Sequence, residues 1–186
     1  MERNKVKRIV GTAILIAIVI VLQLLGQFIK IGPASVTLVL LPIVVGAAMY
    51  GPGAGAILGL AFSVVVLLQP DTAFFYGMNV FGTVVTVLLK GVLAGWLAGL
   101  VYHALEHKNP ILGVVLAAVI CPIINTGIFF LGCCAFYWDA LAATGIENVA
   151  LYVIVAYIGF NFIAEFLTNV LCCPVIVRVL HIIRKA

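Results

Sequence analysis

Six apolar runs follow one another along the chain: Ile9–Ile29, Val36–Tyr50, Ala54–Leu68, Phe81–Ala104, Ile111–Phe136 and Val149–Leu180. A helix needs about 20 apolar residues, with a range of roughly 17–25, to cross the hydrocarbon core of a bilayer. The second and third runs are short and separated only by Gly51-Pro52-Gly53. They fit a two-span hairpin or a partly re-entrant pair. The pattern predicts an all-α membrane protein: a single domain over residues 1–186, folded as a compact bundle of six transmembrane helices. Basic residues precede the first run, as they do in a signal peptide. Its apolar stretch is longer than the roughly 7–15 residues of such a segment and no small-residue cleavage site follows, so it reads as a retained first helix.

Composition agrees with the pattern. Hydrophobic residues make up 66% of the chain and charged residues 9%, with a mean hydropathy of +1.34. Soluble domains are about 45–50% apolar and about 25% charged, so lipid is the solvent for most of this surface. Five cysteines, Cys121, Cys133, Cys134, Cys172 and Cys173, lie in or near the runs without a CxxC spacing. They read as small apolar packing residues rather than a disulfide framework or zinc site.

Charge predicts the orientation. Arg3, Lys5, Lys7 and Arg8 precede the first run, Lys108 follows the fourth, and Arg178, Arg184 and Lys185 close the chain. With six spans, these eight of the ten basic residues fall on one face, whereas Lys30, Asp71, Asp139 and Glu147 fall on the other. Basic residues accumulate in cytoplasmic loops, so both termini are expected in the cytoplasm. The formal charge of +4 is then a topological signal. No basic–aromatic patch suggests base stacking, and no nucleic-acid partner is expected.

Lys90 stands out among the polar positions. It lies about nine residues into the fourth run, roughly 14 Å from its outer end. A cation at such depth costs about 2.5–3.5 kcal/mol even on the lenient insertion scale and should face the bundle interior. Thr83, Thr86 and Lys90 share a stripe at i, i+3 and i+7. Lys90 either neutralises Glu165 or binds an anionic group of a ligand; snorkelling to an interface is disfavoured by its depth. A second stripe holds Asn161, Glu165, Thr168 or Asn169, and Cys172. Its amides serve either a ligand or interhelical hydrogen bonding. Pro122 and Asn125-Thr126-Gly127 interrupt the fifth run. Lys90, Asn125 and Asn161 are expected at one level, flooring a cavity open to the outside.

Two polar gaps, Gln69–Val80 and Tyr137–Asn148, mix aromatics with polar groups. They form an interfacial aromatic belt or a pair of lids that bring Asn79 and Trp138 to a pocket. Catalysis is not expected. His103, His107 and His181 lie at the cytoplasmic boundary without HExxH spacing, Glu106 is placed off the face of the other two, and no P-loop occurs. No metal site or cofactor is implied. In the first run, Ala13 and Ala17 form a small-xxx-small pair that permits close helix approach in lipid.

The order of these features resembles the substrate-binding (S) subunits of energy-coupling factor (ECF) vitamin transporters. The size, six helices and cytoplasmic termini match over the whole length. The resemblance also rests on Ala13-xxx-Ala17, on the segment from Pro33 through Pro42 to Gly51-Pro52-Gly53 and Gly59, and on Lys90-Gly91 with Gly95 and Gly99. It implies the substrate-specific component of an ATP-driven importer in a prokaryotic plasma membrane. Such a subunit captures a vitamin or related micronutrient outside. It then associates with a transmembrane scaffold subunit, docked through Ala13 and Ala17, and with two ATPase subunits. A pantothenate-like or riboflavin-like cargo is favoured, with Lys90, Asn125, Asn161, Glu165, Asn79 and Trp138 as candidate binding residues. The alternatives are a stand-alone small transporter or channel, which would want inverted repeats or broken helices, and a non-catalytic membrane assembly subunit.

Overall fold

The computed structural model describes the backbone of residues 2–28, 30–31, 34–35, 38–146 and 148–185, and the side chains of 5–28, 38–146, 148–155, 158–159 and 162–180. The side chains of Arg3, Lys30, Glu147, Asn161, His181, Arg184 and Lys185 lie outside the described residues, as does the structure at residues 36–37.

Helix α1, Glu2–Gly26, covers the first apolar run and is followed by two-residue strands β1, Lys30–Ile31, and β2, Ala34–Ser35, paired antiparallel. Helix α2, Leu40–Tyr50, begins later than its apolar run. At 11 residues it is about 16 Å long, short of the roughly 30 Å hydrocarbon core. Gly51 adopts a φ of 94°, a conformation open to glycine at little cost, and turns the chain into α3, Pro52–Leu67. The gap after α3 is itself helical: a 3-10 turn, Pro70–Thr72, leads into α4, Ala73–Met78, bent 75° from α3. Helix α5, Val80–Leu105, follows.

Helix α6, Pro110–Gly132, continues past Pro122 without a break in its assignment. It widens through a π-helical turn, Cys133–Tyr137, into α7, Trp138–Ala142. The predicted loop from Tyr137 therefore begins instead as helix. The last apolar run departs furthest from one straight span. It divides into α8, Val149–Tyr152, a π-helical stretch, Val153–Gly159, then α9, Phe160–Leu171, and α10, Cys173–Lys185. The axis bends 43° at Cys172, where Pro174 lacks the N–H that a continuing helix would use.

By length and composition, three described helical segments can each cross a membrane: 5–26, 80–105 and 110–142. The bent pairs α3–α4 and α9–α10 raise the number to five, and α2 is a shorter apolar helix. The expectation of six helices thus becomes three full-length segments, two bent pairs and one short helix. The protein is a multi-pass, all-α membrane protein apart from its short strand pair.

Glycines at four-residue spacing bring α3 and α5 together. The Cβ position of Gly55 meets the Gly95 carbonyl, that of Gly59 meets the Gly91 carbonyl, and that of Gly99 falls 2.6 Å from Pro52 Cα. Ser63 Oγ fastens the pair by donating to the Val87 carbonyl at 2.7 Å. Small residues of this kind let backbones touch where lipid supplies no hydrophobic drive for helix association.

A buried amide pair holds α1 to the far end of α3. Gln23 Nε2 donates to Gln69 Oε1 at 2.9 Å, and Gln69 Nε2 donates to the Gln23 carbonyl at 3.0 Å. Gln69→Leu is expected to cost about 1–3 kcal/mol, because the Gln23 amide stays buried without its partner. Gln23→Leu/Gln69→Leu should recover most of that loss. Unfolding of the single and double variants in detergent checks both expectations.

Candidate functional site

Asn79 starts α5. Its Oδ1 accepts from Gly82 N at 2.8 Å, so this side chain caps the helix. Thr83 Oγ1 donates to the Asn79 carbonyl at 2.7 Å and accepts from Tyr137 Oη at 2.9 Å. The threonine face of α5 therefore meets the π-helical turn after α6. Thr86 comes against Gly132 on α6, where a side chain would collide with it.

One turn deeper, Lys90 is partly buried. Its Nζ lies 5.3 Å from the Phe129 ring centroid and 5.7 Å from that of Phe62. Both fall within the roughly 6 Å reach of a cation–π contact, each worth about 2 kcal/mol when desolvated. Together they match in size the roughly 2.5–3.5 kcal/mol cost of placing a cation at such depth. The aromatic clamp thus accounts for the burial of Lys90 without a direct ion pair. Among the described residues, Glu106 lies in ion-pair range of His103 and His107, and no ion pair joins Lys90 to Glu165.

Glu165 on α9 is nevertheless within electrostatic range of Lys90. It is almost fully buried. Asn125 on α6 donates from Nδ2 to Glu165 Oε2 at 3.5 Å, a long hydrogen bond. Asn169, one turn along α9, donates to the Glu165 carbonyl at 2.9 Å. Asn125 Oδ1 and Asn169 Oδ1 are buried acceptors without a partner among the described residues.

The structure therefore gathers Lys90, Asn125 and Glu165, with Asn169 beside them. Asn79 is occupied as a helix cap, and Trp138 lies at the start of α7 with 41% of its surface exposed. The Asn161 side chain is outside the described residues.

Phe62 and Phe129 were not singled out by the sequence reasoning. Counting from the basic end, Phe62, Lys90 and Phe129 lie about 15, 22 and 29 Å along their helices. Depth counting therefore brackets the lysine between the two rings. Phe75 of α4 extends the aromatic cluster, 5.5 Å from Phe129 and 5.2 Å from Tyr137, ring centre to ring centre.

Elsewhere, Glu106 does not point away from the histidines. Its Oε1 lies 2.6 Å from His103 Nδ1 and 3.9 Å from His107 Nε2. The i, i+3 spacing on the last turn of α5 brings His103 and Glu106 onto neighbouring positions. No metal-binding group of three His, Cys, Asp or Glu residues occurs among the described residues. Ala13 and Ala17 are exposed on α1, on a surface shared with Ile14, Ile18 and Val21.

Residues 7–177 match the family described as ECF transporter, substrate-specific component. No curated protein and no solved structure matches the chain. The family match spans nearly all of the apolar helices and includes the Lys90–Asn125–Glu165 group within its bounds. The chain belongs to the family of substrate-specific components of ECF transporters.

Proposed function

We propose that this protein captures a small anionic, vitamin-like cargo, of which pantothenate is the favoured type, for an ATP-driven importer. The observation that carries the proposal is the Lys90 ammonium set between Phe62 and Phe129, beside the buried Asn125–Glu165 pair. A cationic donor with nearby amide groups suits a carboxylate joined to a polar chain. The aromatic cluster of Phe75, Phe129 and Tyr137 favours a second reading, a flat riboflavin-like ring. Mass spectrometry of small molecules that co-purify with the protein, followed by calorimetry with pantothenate and riboflavin, tests the assignment. Riboflavin binding without pantothenate binding would overturn the favoured cargo.

In this proposal the chain has no catalytic role of its own. ATP hydrolysis belongs to two partner ATPases, and Ala13 and Ala17 form part of the contact with a transmembrane scaffold subunit. Their exposure on α1 supports that assignment. Ala13→Leu/Ala17→Leu should reduce uptake by the assembled transporter while leaving cargo affinity of the isolated subunit within about twofold, less than half of a 1.4 kcal/mol tenfold change. Uptake and calorimetry on the same variant check this, and unchanged uptake would refute the docking assignment. The basic end of the bundle is assigned to the cytoplasm in the prokaryotic plasma membrane. Modification of single cysteines introduced near Arg8 and near Trp138 in intact cells tests the orientation.

A further inference from the structure

At the basic end, the N-terminal part of α1, the α2–α3 turn and the last turns of α5 enclose a cleft of about 520 Å³. Lys7, Arg8, Tyr50, Gly51, Pro52 and His103 contribute to its wall, and among the described residues no acidic one lines it. The ideal Cβ position of Gly51 is 3.8 Å from His103 Nε2 and 3.9 Å from Arg8 Nη2, and that of Gly53 is also 3.9 Å from Arg8 Nη2. Two nitrogen groups therefore converge over a backbone that carries no side chain at either position.

Three further facts make the convergence chemically specific. His103 Nε2 is buried and has no hydrogen-bond partner among the described residues. Its other ring nitrogen is held by Glu106 at 2.6 Å, which fixes the ring so that Nε2 is left for the cleft. Helix α3 begins at Pro52 without a side-chain cap, so the positive end of its dipole opens at the same place. The cation pair, the oriented imidazole and the helix start are suited to one tetrahedral oxyanion with several acceptor oxygens.

We propose that this cleft is a phosphate-group site, separate from the cargo site. Lys90 lies 13 residues from His103 along α5, about 20 Å away. Arg8 and Lys7 supply charge, His103 Nε2 lines the same space, and the start of α3 contributes the Gly53 N–H, since Pro52 has none and Ala54 and Gly55 donate to the Gly51 carbonyl. The volume accommodates a phosphate bearing an organic group. Basic clefts between helices at the membrane surface are where anionic lipid headgroups are held, and free phosphate offers the same oxyanion.

The test uses the full-length protein reconstituted in nanodiscs of phosphatidylcholine containing phosphatidylglycerol. Native mass spectrometry measures which lipid stays bound, and thermal unfolding is followed with and without inorganic phosphate. Arg8→Gln/His103→Gln should lower retained phosphatidylglycerol by about tenfold or more, the size of one lost charge-assisted hydrogen bond. Lys108→Gln, which removes a charge outside the cleft, should leave retention within about twofold. Gly53→Asp puts a carboxylate beside Arg8 at the start of α3, where an acid is compatible with the helix, and should displace the ligand from a folded protein. Stabilisation by phosphate in the wild type alone, without phosphatidylglycerol enrichment, assigns the site to a soluble phosphate. Absence of both effects, or equal losses in Lys108→Gln and the cleft variants, overturns the proposal.

Discussion

Lys90→Met should abolish tight cargo capture while leaving the fold intact. A hydrogen bond to a charged group contributes about 1.5–3 kcal/mol, so removing the ammonium is expected to weaken an anionic ligand by about 10- to 150-fold. The stability change is expected to be small for a different reason. Removing the cation relieves a cost of about 2.5–3.5 kcal/mol and forfeits two cation–π contacts of about 2 kcal/mol each. These nearly cancel, and methionine keeps an unbranched apolar stem between Phe62 and Phe129. If Lys90 instead existed to neutralise Glu165, its loss would cost about 3–5 kcal/mol, as breaking a buried ion pair does. Glu165→Gln in the same chain would then restore stability. Calorimetry with pantothenate and unfolding in detergent, run on Lys90→Met and on Lys90→Met/Glu165→Gln, separate the two roles. A large stability loss rescued by the second substitution would assign Lys90 to structure.

Gly55→Leu should give the largest destabilisation of any single substitution considered. Its Cβ position already meets the Gly95 backbone and lies 2.8 Å from the Ala47 Cβ, so helices on both sides must move. Overpacking a well-filled core typically costs about 1–3 kcal/mol, and a leucine opposed by backbone rather than by a flexible side chain belongs at or above the upper end. Gly59→Leu, against the Gly91 carbonyl, should behave alike. Gly77→Leu on α4, where nothing lies within 4 Å of the added atom, is the matched control and should be close to neutral. Thermal unfolding of the three variants in one detergent gives the ranking. A Gly55→Leu protein as stable as Gly77→Leu would contradict the close approach of α3 and α5.

The spacing of Gly91, Gly95 and Gly99 was visible in the chain, as was a polar stripe through Thr83, Thr86 and Lys90. Periodicity places such residues on one face of one helix. It does not state which helix that face meets. Asn125 and Glu165 were each legible as buried polar groups, but their hydrogen bond depends on how α6 and α9 are rotated against each other. Asn79 was drawn towards a pocket by its aromatic neighbours. The local geometry uses its Oδ1 as the cap at the start of α5, because Asn readily accepts from the backbone two or three residues on.

Hydropathy by itself determined the membrane as solvent, the positions of the main helices and the cost that makes Lys90 exceptional. Those follow from short-range chemistry: each residue meets either lipid or protein, and the balance is strongly one-sided over about 20 residues. Only the tertiary structure decided that Phe62 and Phe129 clamp Lys90 and that Asn125 reaches Glu165. These depend on depth, rotation and contact between helices distant in sequence. An apolar face is nearly equally content against lipid or another apolar helix, so hydropathy leaves those choices open, and close packing and hydrogen bonding settle them.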